Sequence, residues 1–265
     1  MKVLQMLTIN PAEYFGINAG IIAPSKFADI VLLENLKEFR VKRVLVGGKD
    51  PKFKKSKHPE IVRNTVKAKT LTPEDLRVEG KGKARIIEVY DGEIVTGMSI
   101  EFVDGIDISK DILKAVVVER HTGSGRIGKA FVRGFGLQKG AIAQSIAHDA
   151  HNIVAVGASD EDICKAVNRV IDLQGGIVVC NGDIKTELPL PIAGIMSDEN
   201  AERVAEKLKD VEKAVNDLGC NLRSPIITLS FIALPVIPKL KLTDLGLVDV
   251  EQFRLVDVFL NTVDF

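Results

Sequence analysis

The chain has 265 residues, 46% hydrophobic and 27% charged, with 36 basic side chains against 36 acidic ones and no tryptophan. This composition belongs to a folded globular protein, and the length allows one large domain or two smaller ones. Zero formal net charge, a pI near 6.9 and 5% aromatic residues exclude the basic footprint of a nucleic-acid or membrane-surface binder and the stacking platforms of a single-strand binder.

Cys164, Cys180 and Cys220 form no CxxC pair and read as small buried hydrophobes of a reducing compartment. No apolar run approaches the roughly 20 residues needed to cross a bilayer. The opening MKVLQMLTINPAEYFG meets Asn10, Pro11 and Glu13 too early for a signal peptide, so the expected location is the cytoplasm.

In chain order, Val3, Leu4 and Leu7 have helical spacing, and Asn10-Pro11 should stop that helix. ADIVLLE and VKRVLVGGK follow as short strands ending at Gly47-Gly48. One helix and two strands, residues 1–50, are too little for an independent domain. Lys49 to Val62 is charged, carries two prolines and reads as an exposed linker. Strands are then expected around Asp91-Gly92 and Asp104-Gly105, the second dipeptide being the hairpin signal, and from Ile112 to Val118. A glycine-dense stretch leads to strands at 141–147 and 152–157, with HDAH as the loop between them.

Ser159 should cap a helix, with Asp162 completing a capping box and Ile163, Ala166, Val167, Val170 and Ile171 on one face. GGIVVCNG is a strand, and LPLPIAG an extended segment or sheet edge. Ser197 should cap a second helix, with Asp198 and Glu199 in its first turn. From Ser224 onward, Pro225, Pro235 and Pro238 predict irregular core.

His148, Asp149, His151 and Asn152 put four chemically capable side chains into five residues, and the chain has only two other histidines. Such a loop can move protons, bind a polar ligand or contribute to a metal site, although HxxH with one aspartate is short of a closed ligand set. The alternative is a loop whose polar groups satisfy its own backbone. RHTGSGRIG, Arg120 to Gly128, has the glycine and basic content of a phosphate cradle but matches neither GxGxxG nor the P-loop, and reads better as a tight connection. Asp104, Asp107 and Asp111 lack calcium-loop spacing and read as a solvated turn; Arg133 reads as a surface charge. The residues alone therefore lead to an α+β protein with one unusual polar loop.

Several long strings resemble the C-terminal region of the adenine deaminases, members of the amidohydrolase superfamily. They are VVERHTGSGRIGKAFVRGFGLQKGAIAQSIAHDAHN, LPLPIAGIMSD and LSFIALPVIPKLKLTDLGLVDVEQF, supported by NTVKAKTLTPEDL. The opening, from TINPAEYFG to VLVGGK, is similar to the end of the amidohydrolase part, where the chain leaves the last barrel helix for a small β-sandwich. The resemblance implies a fold class of α+β: a short N-terminal remnant of that sandwich (1–50), a linker with connecting strands (51–90) and a mixed α/β C-terminal domain (91–265), with the TIM barrel absent. The family's metal ligands, beginning with an HxH pair, have no counterpart here, and Ala150 stands where the family loop usually carries serine.

By resemblance, adenine and water give hypoxanthine and ammonia, with manganese or iron held by a barrel outside this chain and no metal expected on the chain itself. His148, Asp149 and His151 become catalytic candidates; Asn152, Arg120, His121 and Ser145 become substrate-binding candidates, at or above the barrel mouth. The implied partners are a purine and either a chain carrying the barrel or further copies of this one. The chain could be one half of a split enzyme, a truncated product, or a stand-alone purine-binding or regulatory relative.

Overall fold

A computed structural model describes residues 2–52 and 58–260. The chain divides into two compact units, Met1–Lys57 and His58–Phe265. Residues 53–57, the middle of the expected linker, lie outside the described residues.

The first unit holds α1 (Lys2–Leu7), α2 (Ile9–Tyr14) and an antiparallel hairpin of β1 (Ile30–Leu33) and β2 (Val41–Leu45). Asn10-Pro11 does not end the helical segment as expected. The break comes at Thr8, whose hydroxyl donates to the Leu4 carbonyl at 2.6 Å, and Pro11 sits in the first turn of α2, where a missing N–H leaves no bond unmade. Ala12 is the one buried residue among those described here, while Val3, Leu7, Phe15, Phe27 and Val41 are exposed. Such a unit buries too little apolar surface to be stable alone.

The second unit is built on an open eight-stranded mixed sheet. Its strands are β3 (Gly82–Val89), β4 (Thr96–Val103), β5 (Leu113–Val118), β6 (Ile127–Arg133), β7 (Ala141–Gln144), β8 (Ile153–Gly157), β9 (Gly176–Asn181) and β10 (Asp183–Pro189). The spatial order is β10-β9-β7-β8-β5-β6-β3-β4, antiparallel except for β3 beside β6. β5 lies between β8 and β6, and all six of its residues are buried. Its alternation divides the core: Leu113, Ala115 and Val117 join one apolar layer, Val116 and Val118 the other.

The second of those layers is closed by α3 (Asp160–Asp172), which buries Ile163, Ala166, Val167, Val170 and Ile171, the face expected from its spacing. Its cap is also as expected, Ser159 Oγ accepting from the Asp162 amide at 3.2 Å. The opposite layer is closed by α4 (Ala201–Asp217), α5 (Pro225–Phe231) and a meander of β11 (Leu240–Thr243), β12 (Gly246–Asp249) and β13 (Arg254–Val256).

Four local expectations are corrected. The hairpin joining β3 to β4 turns at Asp91-Gly92, whereas Asp104-Gly105 leads away from the edge strand β4. Helix α4 starts three residues later than expected, because Asn200 accepts from the Arg203 amide at 2.9 Å and takes the capping role assigned to Ser197. The glycine-dense stretch contains strand β6, which tolerates Gly128 because a neighbouring backbone needs the space. The proline-broken C-terminal region is ordered: Pro225 opens α5, and Pro235 and Pro238 fall between α5 and β11.

A Cβ at Gly128 would fall onto the Thr243 carbonyl in the β11–β12 turn. Gly128→Ala is expected to cost about 1–3 kcal/mol through overpacking against backbone, read as a lowered urea midpoint of the full chain. An unchanged midpoint would mean that the meander is not seated on β6.

Candidate functional site

The polar loop joins β7 to β8, and each of its anchors comes from elsewhere in the chain. Gln144, fully buried at the end of β7, donates from its amide nitrogen to the carbonyls of Ile146 at 2.8 Å and Ile226 at 2.9 Å. Ser145, also fully buried, donates to the Gly194 carbonyl at 2.5 Å and accepts from the Gly176 amide at 2.8 Å. Its hydroxyl is thus committed to backbone. His151 takes the left-handed conformation, φ 49°, and its amide closes the loop on the Ala147 carbonyl at 2.7 Å. Asp149 and Ala150 form the exposed tip.

His148 is held on both its face and its edge. The ring stacks on Phe231 at a centroid separation of 4.7 Å and an interplanar angle of 7°. Its Nδ1 lies 3.0 Å from Ser230 Oγ, and that hydroxyl donates its proton to the Ile227 carbonyl at 2.9 Å. With the serine proton so placed, His148 Nδ1 is the donor, and in the neutral ring the lone pair is on Nε2, which has no partner among the described residues. His121 is the reverse. Its Nε2 faces the Ala150 carbonyl at 2.7 Å, and a carbonyl can only accept, so the neutral ring keeps its lone pair on Nδ1. The two rings flank the loop as opposite tautomers. The His151 ring lies 6.5 Å from that of His148 by centroids. Burial and then the Arg120 guanidinium push its pKa down, and its Nδ1 is buried without a protein partner.

Arg120, 2% exposed, donates from Nε to the His151 carbonyl and from Nη2 to the Ala193 carbonyl at 3.1 Å. Gly194 packs against the guanidinium so closely that a Cβ would collide with it. The buried Asn152 side chain accepts from the Arg120 amide at 3.4 Å and donates to Asp244 at 3.1 Å, and Asp244 also receives Arg126 Nε at 2.7 Å. Six of the seven candidates, His148, Asp149, His151, Asn152, Arg120 and His121, therefore gather around one loop. Ser145 lies beneath it. Arrayed here are the imidazole lone pairs of His148 Nε2 and His121 Nδ1, a third, buried imidazole at His151 and the exposed Asp149 carboxylate, a set suited to hydrogen-bonding and proton exchange with a polar heterocycle. Among the described residues no group of three or more His, Cys, Asp or Glu side chains could hold a metal ion.

Ser230, Phe231, Asp244 and Glu119 were not among the candidates. The first three are far from the loop in sequence and carry no motif, but Glu119 has a local signal: a carboxylate directly after an apolar strand and before a run of small polar residues. Glu119, 3% exposed, accepts from the amides of His121 at 2.5 Å, Thr122 at 2.8 Å and Ser124 at 3.1 Å, and from the hydroxyls of Thr122 and Ser124, each at 2.8 Å. The amides that would cradle a phosphate are occupied by the chain's own carboxylate, so RHTGSGRIG is a tight connection, in keeping with its sequence. Arg133 is not a free surface charge: it is half-buried between Glu88 at 3.1 Å and Glu101 at 2.7 Å. Asp111 also departs from a solvated turn, accepting from the amides of Gly134 at 2.7 Å and Gly136 at 2.9 Å.

Burial alone would raise the Glu119 pKa, but its hydrogen bonds outweigh burial and hold it well below the ordinary 4.5. A carboxyl depressed in the folded state contributes stability that is present above its unfolded pKa and lost as pH falls through the folded one. Glu119→Gln is expected to lower stability at neutral pH by about 1.5–3 kcal/mol and to flatten the acid limb of the stability curve below roughly pH 4.5. Denaturant melts of both proteins across that range measure it. An unaltered limb would show that this carboxylate does not organise the loop.

Two family models match the chain: the adenine deaminase C-terminal domain over residues 88–254 and the amidohydrolase family over residues 1–95. Among curated relatives, the adenine deaminase of Archaeoglobus fulgidus is 69% identical over 258 residues, covering 97% of this chain and 46% of that protein. The adenine deaminases of Dehalococcoides mccartyi and Brucella abortus are each 42% identical, over 272 and 270 residues, covering 97% of this chain and 48% and 46% of those proteins. The chain spans about half the length of the curated relatives it matches. It belongs to the adenine deaminase C-terminal domain family, with part of the amidohydrolase family sequence at its N-terminal end.

Proposed function

We propose that this chain serves as the C-terminal portion of an adenine deaminase, converting adenine and water to hypoxanthine and ammonia together with an amidohydrolase barrel supplied by further polypeptide. The observation that carries the reading is the polar loop itself: His148 is locked on a platform with its Nε2 unpartnered, beside an exposed carboxylate. In this reading His148, Asp149 and His151 exchange protons with the ring and the leaving amine, while Asn152, Arg120 and His121 position the purine directly or through the loop. Ser145 acts from below, by fixing the loop to Gly176 and Gly194.

The organisation proposed is a sandwich remnant at 1–50, connecting strands at 51–90 and the family domain at 91–265. The exposed apolar side chains of the first unit support a role for the barrel-bearing polypeptide, or a second copy of the chain, in covering them. The described residues do not fit a metal site, so manganese or ferrous iron, as the metal that activates water, is assigned to the barrel. A cytoplasmic location is proposed in keeping with three free buried cysteines.

The test is hypoxanthine formation by the purified chain, alone and mixed with a separately expressed amidohydrolase half, with manganese or ferrous iron present. Activity is expected only in the mixture. His148→Ala should lower kcat there by about 100-fold or more with the melting midpoint of the chain retained. Unchanged kinetics would remove the loop from the reaction. Adenine binding with no turnover in any mixture would identify a purine-binding module instead.

A further inference from the structure

Lys241 lies in β11 and is 0% exposed, with no carboxylate within ion-pair distance among the described residues. Its ammonium donates to the Ile94 carbonyl at 3.0 Å and to the Phe231 carbonyl at 2.9 Å. Burying a cation without an anion is unfavourable, and burial pushes this ammonium down to about 8. An apolar side chain of similar volume would fill the same space without that cost. The position of its acceptors indicates what the charge does.

Phe231 is the last residue of α5, so its carbonyl has no partner within the helix; it accepts the Leu234 amide of the following turn at 3.3 Å and, at shorter distance, the Lys241 ammonium. Phe231 also supplies the ring under His148, and its neighbour Ser230 accepts the His148 Nδ1 proton. The Leu242 amide reaches the next carbonyl, that of Ile232, at 2.9 Å, so β11 holds the end of α5 at two consecutive residues. On the far side, Thr96 fixes the β3–β4 hairpin to the approach to β11: its hydroxyl donates to the Leu240 carbonyl at 2.8 Å, and its carbonyl receives the Lys239 amide at 2.9 Å. Lys241 thus joins two rigid elements at the point where the histidine platform ends.

We propose that Lys241 is a positioning residue for His148, its ammonium holding the terminal carbonyl of the Ser230–Phe231 platform so that the imidazole keeps one tautomer and one direction. This deepens the functional reading above by naming the group that aims its principal base. It is tested on the chain alone, so it can fail while the deaminase reading stands, and the reverse.

The readout is the 15N spectrum of the histidine rings in the full chain, recorded where the rings are uncharged. Wild-type His148 should show two widely separated resonances with the proton on Nδ1, and His121 the reverse pattern with the proton on Nε2. In Lys241→Met the His148 pair should collapse toward the average of an unconstrained ring, while His121, fixed by the Ala150 carbonyl, keeps its pattern. A folded Lys241→Met chain in which His148 retains its Nδ1 proton would overturn the proposal. Should the variant not fold, the wild type decides. A through-hydrogen-bond coupling between Lys241 Nζ and the Phe231 carbonyl carbon supports the proposal, and its absence overturns it.

Discussion

The end of strand β5 is the constraint on which the rest depends. Six consecutive buried residues, all apolar but Lys114, run through the middle of the sheet and deliver two buried charges side by side, Glu119 and Arg120. Neither is neutralised by the other in an ion pair. Glu119 gathers the amides and hydroxyls of residues 121–124 on one side, while Arg120 gathers the carbonyls of His151 and Ala193 on the other. Successive residues of an extended chain face opposite ways, so one strand end organises two loops. The pair is expensive to bury, and the return is a fixed relation between the glycine-rich turn and the histidine loop.

The histidine loop is built in the same manner from backbone acceptors. Ser145, Gln144, Arg120 and Lys241 all spend their donors on carbonyl groups rather than on carboxylates. Carbonyls are fixed by the fold, so a side chain bound to them inherits the rigidity of the sheet and helices beneath. At the loop, the groups left without a protein partner among the described residues include His148 Nε2, His121 Nδ1, the buried His151 Nδ1 and, beneath them, the buried Gln144 Oε1. A loop rigid underneath and unsatisfied at its face has the character of a site completed by a ligand or another part of the protein.

Much of this was legible in the sequence, and the limits have physical causes. β5, β8 and α3 stand out because burial on both faces or on one stripe leaves a continuous or helical apolar pattern, and Ser159 announces its own helix. The loop's importance is legible as a density of polar side chains, and the gathering of Arg120 and His121 beside it follows from strands β5 and β8 being neighbours. Strand β6 was hidden by Gly128, a residue required by the Thr243 backbone rather than by any turn. The helix and meander after Ser224 were hidden by prolines that fall at a helix start and in connections. Ser230 and Phe231 reach His148 across about 80 residues, and Lys241 joins them only through the Phe231 carbonyl, a separation over which only tertiary packing brings groups together.

The central claim is that the His148–Asn152 loop meets the purine. The direct measurement is a crystal structure of a full-length deaminase carrying this C-terminal portion, with hypoxanthine bound. The loop is expected to face the barrel, with His148 Nε2 or the Asp149 carboxylate within hydrogen-bonding distance of the base, about 2.6–3.2 Å. A purine bound in the barrel while the loop points into solvent on another face would contradict it.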